Sequence, residues 1–314
     1  INCLWLPDVF GYSAALPQIL RKSGIDYFIT QKISWNDTNT FPHHTFRWAG
    51  IDGTEIQTHF LPTNNYNCSN EPKVMTDASL RFSQSDIHEG YLNLYGIGDG
   101  GGGPSRKHIE WILRGENCEG MPRMKMAKAK DFFEYLSEKG TDDQPLWRGE
   151  LYLEFHRGTY TTQALMKKYN RQLELKLRDV EFLGTLAKIE SGYEYPSGII
   201  EKIWKDTLLN QFHDVLPGSS IKEVYRDAHR ISADNLALLS EMENELASRL
   251  IPCEKKNFIT CFNTQAWERR EIISIDDEDI AILVPPMGYK TIQRHSQSRV
   301  RNVANVVTVS DDGS

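Results

Sequence analysis

The sequence predicts a multidomain protein built from an α/β part, a helical part and a β part, in that order. Short apolar strands alternate with helical segments in the first 150 residues, which is typical of parallel strands covered by helices. From residue 161 the apolar residues recur at helical spacing, and beyond residue 252 they form short runs separated by turn residues. We therefore expect three domains, over residues 1–150, 151–251 and 252–314.

The α/β part opens with a βαβ unit. A short strand ends before Asp8, a helix is predicted over residues 14–22, and a second strand is predicted over residues 27–30. Active sites in α/β sheets lie beyond the carboxyl ends of the strands, so Asp8 is a candidate catalytic carboxylate. Aspartate also caps helices, and the motif alone leaves this alternative open. Further strands are expected over 55–61 and 91–95, and helices around 109–113 and over 129–136.

The helical part is predicted to contain three long helices, which suggests a bundle. The first begins after residue 161, the second covers residues 197–213, and the third runs from an N-cap at Ser219 to about residue 250. A β-domain is then predicted to begin, with strands over residues 258–260, 270–275, 280–284 and 303–309.

The composition of the 314-residue chain limits its partners and its location. A net charge of −7 argues against nucleic acid as a partner, because phosphate binding requires clustered Lys and Arg. The apolar runs are far shorter than the roughly 18 residues that span a bilayer, so no membrane association is expected. Five cysteines without a Cys-x-x-Cys pair predict a cytoplasmic protein with reduced thiols, and homo-oligomer formation stays open.

A second candidate carboxylate, Asp99, lies in a glycine-rich turn at residues 95–105. This turn follows a predicted strand and precedes a predicted helix, so we expect Asp99 at the carboxyl edge of the sheet. A phosphate loop of the Walker type would end in Gly-Lys-Ser or Gly-Lys-Thr, and no lysine directly follows the glycines here. Glycines also permit the tight backbone turn that presents a carboxylate to a pocket. A flexible surface turn is the remaining alternative.

A third motif, at residues 210–220, places His213 and Asp214 at the junction between the second and third predicted helices. A histidine at a helix end is more often a cap or a buried hydrogen-bonding residue than a metal ligand. The residues of this motif alone therefore favour a structural role.

Together the three motifs resemble glycoside hydrolase family 38, the class II α-mannosidases, in its cytosolic and bacterial type. The resemblance is carried, in order, by WLPDVFGYSAALPQI at residues 5–19, YGIGDGGGGPS at 95–105 and NQFHDVLPG at 210–218. It implies a retaining, zinc-dependent α-mannosidase that hydrolyses terminal α-mannosides of glycans or oligosaccharides. It also implies part of a seven-stranded-type α/β barrel, followed by a three-helix bundle and the start of a β-sandwich domain.

The resemblance implies catalytic and metal-binding roles for three residues. Asp8 becomes the nucleophile and a Zn²⁺ ligand, Asp99 becomes the general acid and base, and His213 becomes a second Zn²⁺ ligand. Retaining glycosidases hold their two carboxyl groups about 5 Å apart. The family's His-x-Asp zinc motif lies upstream of the nucleophile, whereas this chain opens almost on it. We therefore expect an internal fragment with an incomplete zinc site.

Four further residues are implied to bind the substrate. Phe10 would stack on a sugar ring, Tyr66 matches a substrate tyrosine of the family, and Asp214 would contact sugar hydroxyls. Lys32 stands where the family carries Arg, so the resemblance implies that it faces the nucleophile, although it lacks the bidentate grip of a guanidinium. Ordinary packing is the alternative for both aromatic residues. For the whole protein, the rival interpretation is a carbohydrate-binding or catalytically inert relative.

Overall fold

Helices and sheets form two units in the computed structural model, which describes residues 2–251, 258–275 and 278–293. The division falls between Ile1–Tyr160 and Thr161–Ser314. The expected mixture of α and β structure is confirmed, with seven α-helices and three sheets among the described residues. None of these helices is both long enough and apolar enough to cross a membrane.

The first unit is organised by a five-stranded sheet. Its strands are β1 (Cys3–Trp5), β2 (Tyr27–Thr30), β3 (Thr45–Ala49), β4 (Glu55–Phe60) and β5 (Leu146–Arg148). Their order in space is β1-β2-β4-β3-β5, and all neighbours are parallel except β3 and β4. The carboxyl ends of β1, β2 and β4 therefore meet at one edge of the sheet. The loops that carry Asp8, Lys32 and Tyr66 begin at this edge.

The core of this unit lies on strands that are buried on both faces. Phe28 of β2 and Phe46 and Trp48 of β3 have no exposed surface. Such continuous apolar burial is typical of interior strands. Leu151, which follows β5, joins the same core and exchanges two backbone hydrogen bonds with Tyr12, at 2.9 and 3.0 Å. Leu153 is buried there as well.

The first unit also contains four helices: α1 (Leu16–Lys22), α2 (Pro72–Arg81), α3 (Arg106–Gly115) and α4 (Ala129–Lys139). The strand predicted over residues 91–95 is wrong, because this segment makes only a single bridge, between Cys68 and Tyr95. Its backbone is bonded in other ways. The Leu92 N–H donates to Nε2 of the buried His59 at 3.2 Å, so a side chain replaces the neighbouring strand.

Three helices pack around a shared apolar core in the second unit. They are α5 (Ala164–Ser191), α6 (Ser197–Asn210) and α7 (Lys222–Leu250). The core consists mainly of Leu173, Leu177, Val180 and Leu183 of α5, Ile200 and Ile203 of α6, and Leu239, Met242 and Leu246 of α7. Two predicted boundaries are wrong. α6 ends three residues before His213, and α7 begins three residues after Ser219, whose hydroxyl donates to Asp214 Oδ1 at 2.8 Å instead of capping the helix.

Two antiparallel strand pairs follow the helices. They are formed by β6 (Phe258–Asn263) with β9 (Gly288–Gln293), and by β7 (Arg269–Ile275) with β8 (Glu278–Val284). Ile280, Ile282 and Val284 of β8 share a small core with Ile292 of β9, which joins the two pairs. The strand predicted over residues 303–309 lies outside the described residues.

Candidate active site

The loop that carries Asp8 is fixed by a buried tyrosine. Beyond β1, the Leu6 N–H still donates to the Ile29 carbonyl of β2, at 3.2 Å. Tyr12 donates its hydroxyl hydrogen to the Leu6 carbonyl at 2.8 Å, and its oxygen lies 2.6 Å from Thr30 Oγ1. Burial raises the pKa of Tyr12 well above its ordinary range, so the hydroxyl stays protonated and can donate. Both sides of the loop are thus held, with Asp8 between them at the edge of the sheet.

Asp8 forms an ion pair with Lys32, the residue that follows Gln31 after β2. The Lys32 side chain is only 3% exposed and contacts Asp8 Oδ1 through Nζ, whereas the Asp8 side chain is 23% exposed. The same ammonium lies 3.5 Å from the ring centroid of Trp35, a cation–π contact. A carboxylate that is reachable from solvent is therefore held by a cation that is almost fully shielded from it.

Aromatic side chains surround this ion pair. The ring of Phe10 lies 5.4 Å from Lys32 Nζ and 4.8 Å from the ring of His156, centre to centre. Trp35 is 47% exposed and lies 6.0 Å from the same histidine ring. Phe10 also packs against the apolar core, so packing and a substrate contact are not exclusive at this position.

Asp99 is held by Tyr66, 33 residues earlier in the chain. The Tyr66 hydroxyl lies 3.0 Å from Asp99 Oδ1 and 3.1 Å from Oδ2, so it donates to the carboxylate in a shared hydrogen bond. Asp99 is exposed and has a φ of 56°, a left-handed conformation that aspartate tolerates better than most residues. The structure thus brings together two residues that the sequence analysis placed in separate roles.

Gly98 is required by this contact. A Cβ atom at position 98 would lie 2.7 Å from Cε2 of the Tyr66 ring, closer than side-chain carbons approach in proteins. By contrast, a Cβ atom at Gly103, in the same turn, would meet no atom within 4 Å. The glycine before Asp99 therefore serves the packing of Tyr66, whereas Gly103 has no such constraint.

His213 and Asp214 lie in the turn between α6 and α7, in the second unit. His213 Nε2 is 3.6 Å from Asp214 Oδ2, and the centre of the His213 ring lies 4.1 Å from that of the Phe212 ring, with the two rings tilted by 41°. The Asp214 carbonyl accepts a hydrogen bond from the Tyr225 hydroxyl at 3.1 Å. The turn is thus anchored to α7, with an imidazole and a carboxylate side by side.

The donor atoms of Asp8 and His213 are of the kind that zinc prefers, oxygen and nitrogen. A protein zinc site needs at least three such ligands, however. Within residues 2–251, 258–275 and 278–293, no three His, Cys, Asp or Glu side chains cluster closely enough to hold a metal ion. The described residues therefore do not form a complete zinc site by themselves.

Two models of known protein families match most of the chain. The family model "Glycosyl hydrolases family 38 N-terminal domain" matches residues 1–150, and "Alpha mannosidase middle domain" matches residues 154–250. The chain belongs to glycoside hydrolase family 38. Both carboxylates and the His213 turn lie within the matched residues.

This family 38 chain is similar to proteins that are much longer. It is 40% identical to alpha-mannosidase 2C1 of Mus musculus over 91% of this chain and 28% of that protein. It is 38% identical to an alpha-mannosidase of Saccharomyces cerevisiae over 86% of this chain and 26% of that protein. An alpha-mannosidase structure from Enterococcus faecalis shares the fold, with a TM-score of 0.68 at 19% identity over 88% of this chain and 33% of that one.

Three residues near the Asp8–Lys32 pair were not assigned a role in the sequence analysis. Gln31 donates its amide hydrogen to the Pro7 carbonyl at 2.6 Å, Trp35 covers Lys32, and Glu154 binds the loop at residues 36–40. Hydrogen bonds from Asn39 lower the pKa of the Glu154 carboxyl below its ordinary value, so the carboxylate stays charged at neutral pH. Short-range patterns do not reveal such partners, because Asn39 and Glu154 are 115 residues apart.

Proposed function

We propose that the protein is a retaining α-mannosidase that hydrolyses terminal α-mannosides of glycans or oligosaccharides. The observation that carries this proposal is the pairing of Asp8 with the buried Lys32 at the carboxyl edge of the sheet, in a chain of family 38. Asp8 is the proposed nucleophile, and Asp99 is the proposed general acid and base. The similarity to longer proteins named alpha-mannosidases supports the substrate class.

In the proposed first step, an Asp8 oxygen attacks the anomeric carbon of the mannoside. The bond to the leaving oxygen breaks, and Asp99 gives that oxygen its proton. In the second step, Asp99 takes a proton from water, the water oxygen attacks the anomeric carbon, and the Asp8 carboxylate is released. Lys32 holds the attacking carboxylate in position and stabilises its charge. Tyr66 orients Asp99 through the shared hydrogen bond.

The mannose subsite is proposed to comprise Phe10, Lys32, Tyr66 and Asp214. Phe10 offers an aromatic ring beside the Asp8–Lys32 pair, and such rings stack well on the apolar face of a sugar. Asp214 offers carboxylate oxygens to sugar hydroxyls from the turn after α6. Its neighbour Ser219 orients one of these oxygens with a 2.8 Å hydrogen bond.

Zinc dependence is also part of the proposal. Asp8 and His213 are the two ligands that we assign within this chain, and the remaining ligands would come from residues outside it. Zinc would bind and orient the substrate's vicinal hydroxyls.

We propose the three-domain division of the sequence analysis for the whole protein: residues 1–150 in an α/β barrel, 151–251 in a three-helix bundle and 252–314 in a β-sandwich. The packing of α5, α6 and α7 around one core supports the second of these. A cytoplasmic location is supported by four described cysteines that are free thiols: Cys3, Cys68, Cys118 and Cys261.

The test uses an aryl α-mannoside and the protein expressed at its full natural length. Hydrolysis is measured for the wild type and for Asp8→Asn, each with and without chelation followed by zinc restoration. We expect turnover that zinc restores and that the variant loses by at least about 1,000-fold, because its nucleophile is gone. Binding of mannosides without any turnover would instead favour the catalytically inert relative.

A further inference from the structure

The loop at residues 36–39 is held by one carboxylate. Glu154 Oε2 accepts hydrogen bonds from the backbone N–H groups of Thr38 at 3.0 Å and Asn39 at 2.6 Å. Glu154 Oε1 accepts a further hydrogen bond from the side-chain amide of Asn39. In return, the Glu154 N–H donates to Asn36 Oδ1 at 2.8 Å. We call these four hydrogen bonds the Glu154 clamp.

The negative charge of Glu154 strengthens this clamp. Three N–H groups converge on the carboxylate, and hydrogen bonds to an ionised acceptor are stronger than those between neutral groups. The hydrogen bonds from Asn39 lower the pKa of the Glu154 carboxyl, so it stays ionised at neutral pH. Further along the same segment, Arg157 Nη1 lies 4.0 Å from Asp37 Oδ2. The segment that begins at Glu154 therefore holds the loop at more than one point.

The position of Trp35 depends on this segment. Asn36, which accepts the hydrogen bond from the Glu154 N–H, follows Trp35 directly in the chain. The rings of Phe155 and His156 lie 6.4 and 6.0 Å from the Trp35 ring, centre to centre. Trp35 is 47% exposed. A side chain that is nearly half exposed is not fixed by core packing alone, so the loop and the two neighbouring rings determine where the indole lies.

Trp35 in turn contacts the ion pair of the candidate site. The Lys32 ammonium lies 3.5 Å from the centre of the Trp35 ring and is bonded to Asp8. Lysine has a flexible four-carbon side chain, so an ammonium without the ring on one side is no longer restricted to its place beside the carboxylate. The Lys32 side chain is 3% exposed, so water does not readily replace a contact that the ammonium loses. The contacts of Glu154 thus extend, through Trp35 and Lys32, to the proposed nucleophile.

We propose that Glu154 is a positioning residue for the hydrolysis. Its clamp keeps the Trp35 ring against the Lys32 ammonium, and the ammonium then holds the Asp8 carboxylate in place for attack. This inference rests on the proposed function, in which Asp8 is the nucleophile. Glu154 should therefore influence turnover without touching the substrate. Its influence should disappear when Trp35 is replaced, because the indole ring transmits it.

The test compares variants of two glutamates in the protein at its full natural length, with an aryl α-mannoside as substrate. Glu154→Leu is the test variant, because leucine is of similar size but accepts no hydrogen bond. Glu154→Gln is the conservative variant, since its amide oxygen can still accept from both backbone N–H groups. Glu150→Leu is the matched control, because Glu150 is exposed and takes no part in the clamp. Trp35→Leu is made alone and together with Glu154→Leu.

We expect Glu154→Leu to lower kcat by about tenfold or more and to change KM by less than about twofold, because a misplaced nucleophile weakens transition-state binding more than substrate binding. Glu154→Gln should retain most of the wild-type kcat, and Glu150→Leu should match the wild type. In the Trp35→Leu background, Glu154→Leu should cause no further loss. Such non-additivity is expected for two residues that act through one contact.

The inference is overturned if Glu154→Leu has wild-type kinetics, or if its loss is as large in the Trp35→Leu background as without it. The second result is the one expected of a clamp that merely stabilises the fold. Asn36→Ala removes the clamp's hydrogen bond from the side of the loop, and it decides in the same way if Glu154→Leu does not fold. If Asp8→Asn loses activity but the clamp variants do not, only this inference fails. A wild type that does not hydrolyse the mannoside contradicts the proposed function itself.

Discussion

At the scale of single residues, the most consequential contact is the one between Lys32 and Asp8. Arginine at position 32 would offer a planar fork to both carboxylate oxygens, whereas lysine offers a point charge. Here the point charge is held on one side by Asp8 Oδ1 and on another by the Trp35 ring. The Trp35 ring thus fixes the flexible lysine side chain, as a two-point contact with the carboxylate would fix an arginine.

We predict that Lys32→Met lowers kcat/KM for an aryl α-mannoside by about 100-fold, as is usual when a preorganised charge contact is removed from an active site. Lys32→Arg should lose less, because the positive charge remains. Lys22→Met serves as the control, since the Lys22 side chain is 78% exposed. A methionine variant with wild-type kinetics would show that the ion pair has no part in turnover.

At the scale of elements, the turn at residues 95–105 combines a constrained glycine with an unconstrained one. We predict that Gly98→Ala moves the Tyr66 ring away from Asp99 and lowers kcat by roughly tenfold, the scale expected for a misplaced acid–base group. Gly103→Ala should leave kcat unchanged, since its Cβ would meet nothing within 4 Å. Equal kinetics for the two variants would contradict a role for Tyr66 in placing Asp99.

Local patterns in the sequence predicted most elements near the site, and the failures have physical causes. Apolar runs and helical periodicity predicted strands β1, β2 and β4 and helices α3 and α4. No such pattern predicted the five-residue strand β3. Residues 91–95 have a strand-like pattern, yet their backbone bonds to His59 rather than to a neighbouring strand. Ser219 has the chemistry of an N-cap and bonds Asp214 instead.

The candidate site, too, could be predicted only in part from local sequence patterns. The loop positions of Asp8 and Asp99 could be predicted, because strand ends determine where such loops lie. The family resemblance alone implied that Lys32, 24 residues away, faces Asp8, and the contact between Tyr66 and Asp99, 33 residues apart, was not predicted. Only the folded chain reveals that Trp35 covers the ammonium group and that Glu154 orders the loop before β3.

At the scale of the whole molecule, buried histidines make stability depend on pH. Burial lowers the pKa of His59 to about 3 and that of His44 to about 4, below the ordinary value of 6.5. Both are neutral in the fold, so the stability they contribute is complete above pH 6.5. It is lost as the pH falls from there towards their folded pKa values, because the unfolded chain binds protons first.

We predict that the free energy of unfolding falls by up to about 1.4 kcal/mol per histidine for each pH unit below 6.5. Urea titrations at pH 7.5, 6 and 5 measure this dependence. His59→Gln should be less stable at pH 7.5 but should lose less stability on acidification. An identical pH slope for the variant and the wild type would show that His59 does not contribute.

The contacts of residues 151–154 have a consequence for dissecting the protein. A recombinant piece that stops at residue 150 would lack Leu151 and Leu153, which are buried in the core of the first unit, and would leave the backbone of Tyr12 without its partner. It would also lack Glu154, whose carboxylate accepts hydrogen bonds from the backbone of the loop at residues 36–40. Stopping at residue 160 retains all of these groups, which makes it the sounder place to cut the gene.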